Sequence, residues 1–135
     1  MAGAGWALQT AVYAKLSSDA AVTAALGGAR VYDDVPQRAE FPYLTFGQSS
    51  EKDWSTGTDD GIEHAVILQV WSRFAGRREC DDILQTVRAS LHNVALVLAG
   101  HRLINLRHEL SDVRREPDGV TFRGTARFRA VTEPL

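Results

Sequence analysis

Val120-Thr121-Phe122-Arg123-Gly124-Thr125-Ala126-Arg127-Phe128-Arg129-Ala130-Val131 alternates without interruption. Successive side chains of a strand point to opposite faces, so Val120, Phe122, Gly124, Ala126, Phe128 and Ala130 share one side. Thr121, Arg123, Thr125, Arg127, Arg129 and Val131 share the other. The first face is predicted to enter a core and the second to form a basic surface. Just upstream, Pro117-Asp118-Gly119 is a turn, because Pro fixes φ and Gly accepts a positive one. It joins the strand to His101–Leu110, where Ile104, Leu106, His108 and Leu110 alternate against Asn105, Arg107 and Glu109. The two runs form a hairpin.

Further upstream, Ile62 to Trp71 alternates too, with Ile62, His64, Val66, Leu68 and Val70 opposite Glu63, Ala65, Ile67, Gln69 and Trp71. Apolar groups occupy both sides, which predicts a central strand. Phe41 to Phe46 is aromatic and β-prone, with Pro42 near its start, where a missing N–H does least harm. Arg30-Val31-Tyr32 is extended, and Pro36 prevents a central strand from continuing there. Gln48 to Gly61 is polar and turn-prone, a long exposed loop whose one large apolar residue is Trp54.

Helical spacing marks three segments. Leu8, Val12 and Leu16 recur every four residues between Trp6 and Leu16. Asp19 is placed to cap a short Ala-rich helix, Ala20 to Leu26, which Gly27-Gly28 ends. Between Gly76 and Asn93, Cys80, Ile83, Leu84, Val87 and Leu91 form an apolar stripe opposite Arg78, Glu79, Asp82, Gln85 and Arg88. Asn93 to Gly100 is a short apolar connection. Two helices, strands, a helix and a strand pair predict an α+β fold: one domain spanning 1–135, with a mainly antiparallel sheet and helices packed on one face.

Composition narrows the function. The chain has 135 residues, enough for a single core, and 44% are hydrophobic and 24% charged, as in folded globular domains. A net charge of −2 lacks the basic excess of non-specific nucleic-acid binding. No apolar run approaches the roughly 20 residues of a membrane span, so no membrane association is expected. Met1 to Trp6 lacks the charged start and apolar block of a secretory signal, which predicts a cytoplasmic protein.

Chemistry-bearing motifs are scarce. His64, His92, His101 and His108 have no metal-ligand spacing, and the lone Cys80 falls on an apolar stripe, where a thiol acts as a small hydrophobe. Asp33-Asp34, Asp59-Asp60 and Asp81-Asp82 are adjacent pairs whose side chains diverge. No phosphate-binding or dinucleotide fingerprint and no nucleophile elbow occurs. The expectation is therefore no catalytic residue, no metal and no cofactor: not an enzyme.

Charge is nonetheless segregated, because residues 101–130 hold seven Arg against four acids. One reading is a small nucleic-acid-binding domain that uses the Arg-rich C-terminal strand face. A single-strand platform needs rings and cations together, however, and Phe122 and Phe128 lie opposite Arg123, Arg127 and Arg129. That face suits the acidic groups of a protein better.

Several fragments, in order, carry a resemblance: Ala11-Val12-Tyr13-Ala14 with Leu16, Val31-Tyr32-Asp33 with Val35-Pro36, and Phe41-Pro42-Tyr43-Leu44-Thr45. Asp53-Trp54-Ser55-Thr56, Val70-Trp71-Ser72-Arg73 and Arg127-Phe128-Arg129 complete the series. Together they resemble the tail-completion, or tail-terminator, family of long-tailed phages and gene transfer agents, and are most similar to the gene-transfer-agent branch. The resemblance implies a structural virion-type protein that forms a hexameric ring on the head-proximal end of the tail tube. There it would end tube polymerisation and join the tail to the head connector. It implies no catalysis, and it places the protein at the head-tail junction of a released particle after assembly in the cytoplasm.

Expected partners are other copies of the chain, the major tail tube protein and a connector (stopper or adaptor) protein, with DNA passing through without specific binding. A ring needs two complementary patches per subunit. Arg123, Arg127 and Arg129 are candidates to meet a neighbour's acids, and Asp53 and Trp54 to anchor a loop that orders on assembly. Glu51, Asp53, Asp59 and Asp60, against Lys52 alone, are candidates to line the channel, where negative charge repels DNA phosphates.

Overall fold

A computed structural model describes residues 3–135; the first two residues of the Met1–Trp6 stretch read above for a secretory signal lie outside the described residues. The chain runs α1 (Ala4–Ser18), α2 (Ala20–Leu26), β1 (Val31–Tyr32), β2 (Tyr43–Phe46), β3 (Ser50–Asp53), β4 (Ile62–Ser72), α3 (Arg78–Leu91), β5 (Val97–Leu98), β6 (His101–Arg115) and β7 (Phe122–Pro134). It is an α+β fold with one seven-stranded sheet ordered β1-β2-β4-β7-β6-β5, and β3 also pairs with β4. Only β1 and β2 run parallel; the other pairs are antiparallel.

Local chemistry explains the helix boundaries. Asp19 adopts an extended conformation and accepts the Ala21 N–H at 2.9 Å, so one residue ends α1 and caps α2. Gly27 then takes φ 80°, a left-handed exit that a side chain would strain. In α3 the apolar stripe is buried at Cys80, Ile83, Leu84, Val87 and Leu91, and it covers the sheet beside α1 and α2.

The alternation in β7 holds from Phe122 to Ala130; Val131, expected on the outward face, is buried, as is Thr121 just before the strand. Phe122, Gly124, Ala126, Phe128 and Ala130 are buried, whereas Arg123, Thr125, Arg127 and Arg129 look outward. Val120 departs from the expected face: it precedes the strand in the turn and is largely exposed. Strand β4 is central, as its two-sided apolar pattern predicts, since it pairs with β2 and β3 along one edge and β7 along the other.

Three segments depart from the sequence expectations. Within the predicted 48–61 loop, Ser50 to Asp53 forms β3 against Ala65 to Ile62. All four side chains are exposed, so no apolar rhythm marked the strand. Val97–Leu98, inside the predicted connection, pairs with the start of β6. Strand β6 continues past Leu110 to Arg115.

Its parity also differs from simple alternation. The register with β7 slips between Leu103 and Asn105 and again between His108 and Leu110. Each bulge inserts one residue and reverses the side-chain direction. Leu106 is buried and His108 faces Phe128, but Ile104 and Leu110, expected beside them, are about half exposed. Between β6 and β7 the Pro117-Asp118-Gly119 turn forms as predicted: Gly119 has φ 76°, and Asp118 accepts the N–H groups of Val120 and Thr121.

Candidate functional site

The outward face of β7 alternates cations that β6 and β4 meet with carboxylates. Arg127 Nε lies 3.1 Å from Glu109 Oε1, and Arg129 Nε donates to Glu63 Oε2 at 2.6 Å. Glu63 also receives Lys52 Nζ at 3.0 Å, and these two cations, Lys52 first, hold its carboxyl below the usual range. Arg123 Nε lies 3.0 Å from Glu116 Oε1. The three arginines that composition marked as a basic surface are thus each opposed by an acid within the same chain. Sequence reading missed Glu63, Glu109 and Glu116 because cross-strand neighbours depend on register, and in β6 the bulges set that register.

Strand and loop geometry bring Asp53, Trp54 and Arg129 together at one end of the sheet. The Arg129 guanidinium lies 4.9 Å from the centre of the Trp54 ring, yet the indole remains 51% exposed. The 54–61 loop is closed by its own bonds: Trp54 N–H to Gly61 C=O at 2.8 Å and Thr56 N–H to Asp59 C=O at 2.8 Å. Asp53 accepts the Ser55 N–H at 3.0 Å, and contacts with Ser55 hold its carboxyl low. These bonds give the segment a compact shape within one chain. Glu51, Asp53, Asp59 and Asp60 are all exposed at this end, while Arg123 and Arg127 sit farther along β7.

On the strand parity that Asp53 shares, Glu51 lies opposite His64 on the helix side of the sheet. It borders a cavity of about 200 Å³ also lined by Gly5, Leu8, Phe46, His64 and Ile67. His64, 3% exposed, has Nε2 2.8 Å from Thr132 Oγ1 and Nδ1 4.0 Å from Glu51 Oε2. Burial lowers its pKa, opposed by Glu51 and reinforced by His101. His108 is lowered as well, first by burial and then by Arg88 and His92.

The fold therefore prefers these imidazoles neutral, while the unfolded chain takes up protons once pH falls below about 6.5. Stability is expected to decline as pH drops through that value. His64→Gln should flatten part of the decline in urea midpoints measured between about pH 7.5 and 5.5. An unchanged slope would rule out a neutral buried His64.

Cys80 is buried against β4 and β7, and burial, with Asp81 and Glu79 nearby, pushes its thiol up to about 11. Such a thiol packs and does not attack. Among the described residues no group of three or more His, Cys, Asp or Glu side chains converges as a metal site. Among the described residues no helix is long and apolar enough to cross a membrane.

At the opposite end of β4 the outward face carries rings that sequence reading did not connect. Tyr43 stacks on Trp71 with centroids 6.4 Å apart, and Phe41 and Tyr32 lie 4.9 and 5.9 Å from Tyr43. Arg73 covers Phe41 at 4.2 Å, and Arg123 lies 5.6 Å from Trp71. Trp71 Nε1 donates to Thr45 Oγ1 at 3.0 Å. Phe122 and Phe128 are buried on the other face, as their parity predicts, but Trp71 and Tyr43 supply aromatic surface beside the arginines.

Comparison with known proteins gives two findings. The family model described as Tail completion protein gp17 matches residues 10–133. A chain in the solved structure titled virion of native gene transfer agent (GTA) particle is 31% identical, with a TM-score of 0.90 over 98% of this chain and 99% of that one. No curated protein matches.

Proposed function

We propose, from the premise that the chain belongs to the Tail completion protein gp17 family and has a structural role in a phage-type tail, that it acts as a tail terminator. In this reading 1–135 is one terminator domain, and six copies close into a ring on the head-proximal end of the tail tube. The ring ends tube polymerisation and offers its other surface to the head connector. The observation that carries the reading is the near end-to-end match with a chain of a gene transfer agent virion. Sequence identity of 31% together with a fold retained over almost the full length of both chains supports a shared structural role.

The protein assembles in the cytoplasm and leaves in the particle, and it works by contact, without a cofactor or a bond-making step. Heterologous patches are required for closure, and Asp53, Trp54, Arg123, Arg127 and Arg129 contribute to them. Internal pairing of Arg127 with Glu109 and Arg129 with Glu63 reduces their charge toward a partner, leaving Trp54 as the main anchor. Glu51, Asp53, Asp59 and Asp60, clustered at one end of the sheet, face the channel and keep DNA moving by repulsion.

Deleting the gene and imaging the particles tests the reading. Overlong or headless tails are expected, and normal particles would overturn it. Complementation with a copy carrying amides at the four acids should slow DNA delivery per assembled particle; unimpaired delivery per particle would refute the channel placement.

A further inference from the structure

We propose that neighbouring subunits meet by seating the 54–60 loop of one copy, Trp54 foremost, on the aromatic and arginine patch formed by Phe41, Tyr43, Trp71 and Arg73 of the next. The inference rests on the ring reading above and specifies its interface. Charge complementarity identifies the occupant. Residues 53–61 carry three acids, Asp53, Asp59 and Asp60, and no Lys or Arg. Among the described residues, no carboxylate lies within 4.0 Å of the Arg73 guanidinium, whereas Arg127 and Arg129 each have one. Arg73 instead donates from Nε to Thr121 Oγ1 at 3.1 Å, spreads over Phe41, and meets Asp118 only at longer range, through Thr121.

Placement requires a second copy. The loop precedes Ile62 and the patch follows Val70, at opposite ends of the 11-residue β4. At roughly 3.3 Å per residue, they are separated by about 30 Å and cannot meet within one chain. Two unlike patches at opposite ends of a subunit are the requirement for a head-to-tail contact that can close on itself. Trp, Tyr and Arg are also the residues that dominate interface energetics: Trp54 stands on one side, and Tyr43, Trp71 and Arg73 on the other. Internal bonds and the Arg129 guanidinium hold the loop and its indole in place, so little ordering cost opposes docking.

Cys80 is the chain's only cysteine and is buried, which makes thiol cross-linking clean. In purified particles carrying Thr58→Cys and Thr125→Cys, with Thr125 on the outward face two residues from Arg123, a short bismaleimide should yield a ladder of this chain up to the hexamer. Either single variant should give no ladder. Six copies per particle with only monomer, or with cross-links to a different tail protein, would overturn the interface while leaving the ring intact. A copy number other than six would refute the ring reading and the inference with it.

Charge reversal supplies an independent arm. Arg73→Glu, which loses the Thr121 bond and the Phe41 contact, should fold with a somewhat lowered melting temperature and reduce incorporation into particles about tenfold; adding Asp60→Arg should restore much of the incorporation without restoring the melting temperature. Unreduced incorporation, or no restoration, would overturn the proposal.

Discussion

Gly124→Ala is expected to destabilise the fold by about 2 kcal/mol or more and to lower the melting temperature by roughly 6–10 °C. Gly124 faces α3 from near the start of β7, and a methyl group there would sit 2.6 Å from Cys80 Sγ and 2.8 Å from Leu84 Cδ1. Both neighbours are buried on the helix that covers the sheet, so neither can swing into solvent. Relief requires α3 to lift, which would loosen Ile83 and Val87 as well. Loss of glycine's freedom in the unfolded chain works the other way, but by only about 0.4–1 kcal/mol. The clash therefore wins. Adding Cys80→Ala removes the nearest atom and should recover part of the loss. A Gly124→Ala protein that melts like the parent would mean that α3 does not approach β7 this closely.

Phe128→Ala is expected to cost about 3–5 kcal/mol, measured by urea unfolding. The ring is fully buried at the centre of β7, meets His108 edge-on at 5.4 Å, and joins the core that contains Leu68, Leu106 and Ala126. Its neighbour Arg127 supplies the control. That side chain points to the other face and pairs with Glu109 where both are substantially exposed, so Arg127→Ala should cost no more than about 1 kcal/mol. Equal losses from the two substitutions would contradict the alternation of β7.

The same pair of residues shows what could be read in advance. Strong, uninterrupted rhythms identified β7, the centrality of β4 and the α3 stripe, because burial of one face imposes a period of two or 3.6 on the chain. Asp19 and Gly27 were equally legible, since cap chemistry is local. Strand β3 has four exposed side chains and leaves no apolar trace, so its pairing with β4 was invisible. In β6 the bulges hid the parity of Ile104 and Leu110.

The candidate site divides along the same line. Trp54 and the acids around it stood out as an apolar residue in a polar segment, and the arginines of β7 stood out by spacing. Their partners did not: Glu63, Glu109 and Glu116 come from strand regions or turns tens of residues away, or across a hairpin. Neither did the ring cluster of Phe41, Tyr43 and Trp71, which spans two strands. Sequence by itself determined the apolar faces of α3, β4 and most of β7, the caps between α1 and α2, and which family the order of short fragments resembles. Only tertiary structure decided which charges are already neutralised and where Arg73 joins the aromatic rings, because cross-strand register brings distant residues within a few ångströms and no local rhythm encodes that register.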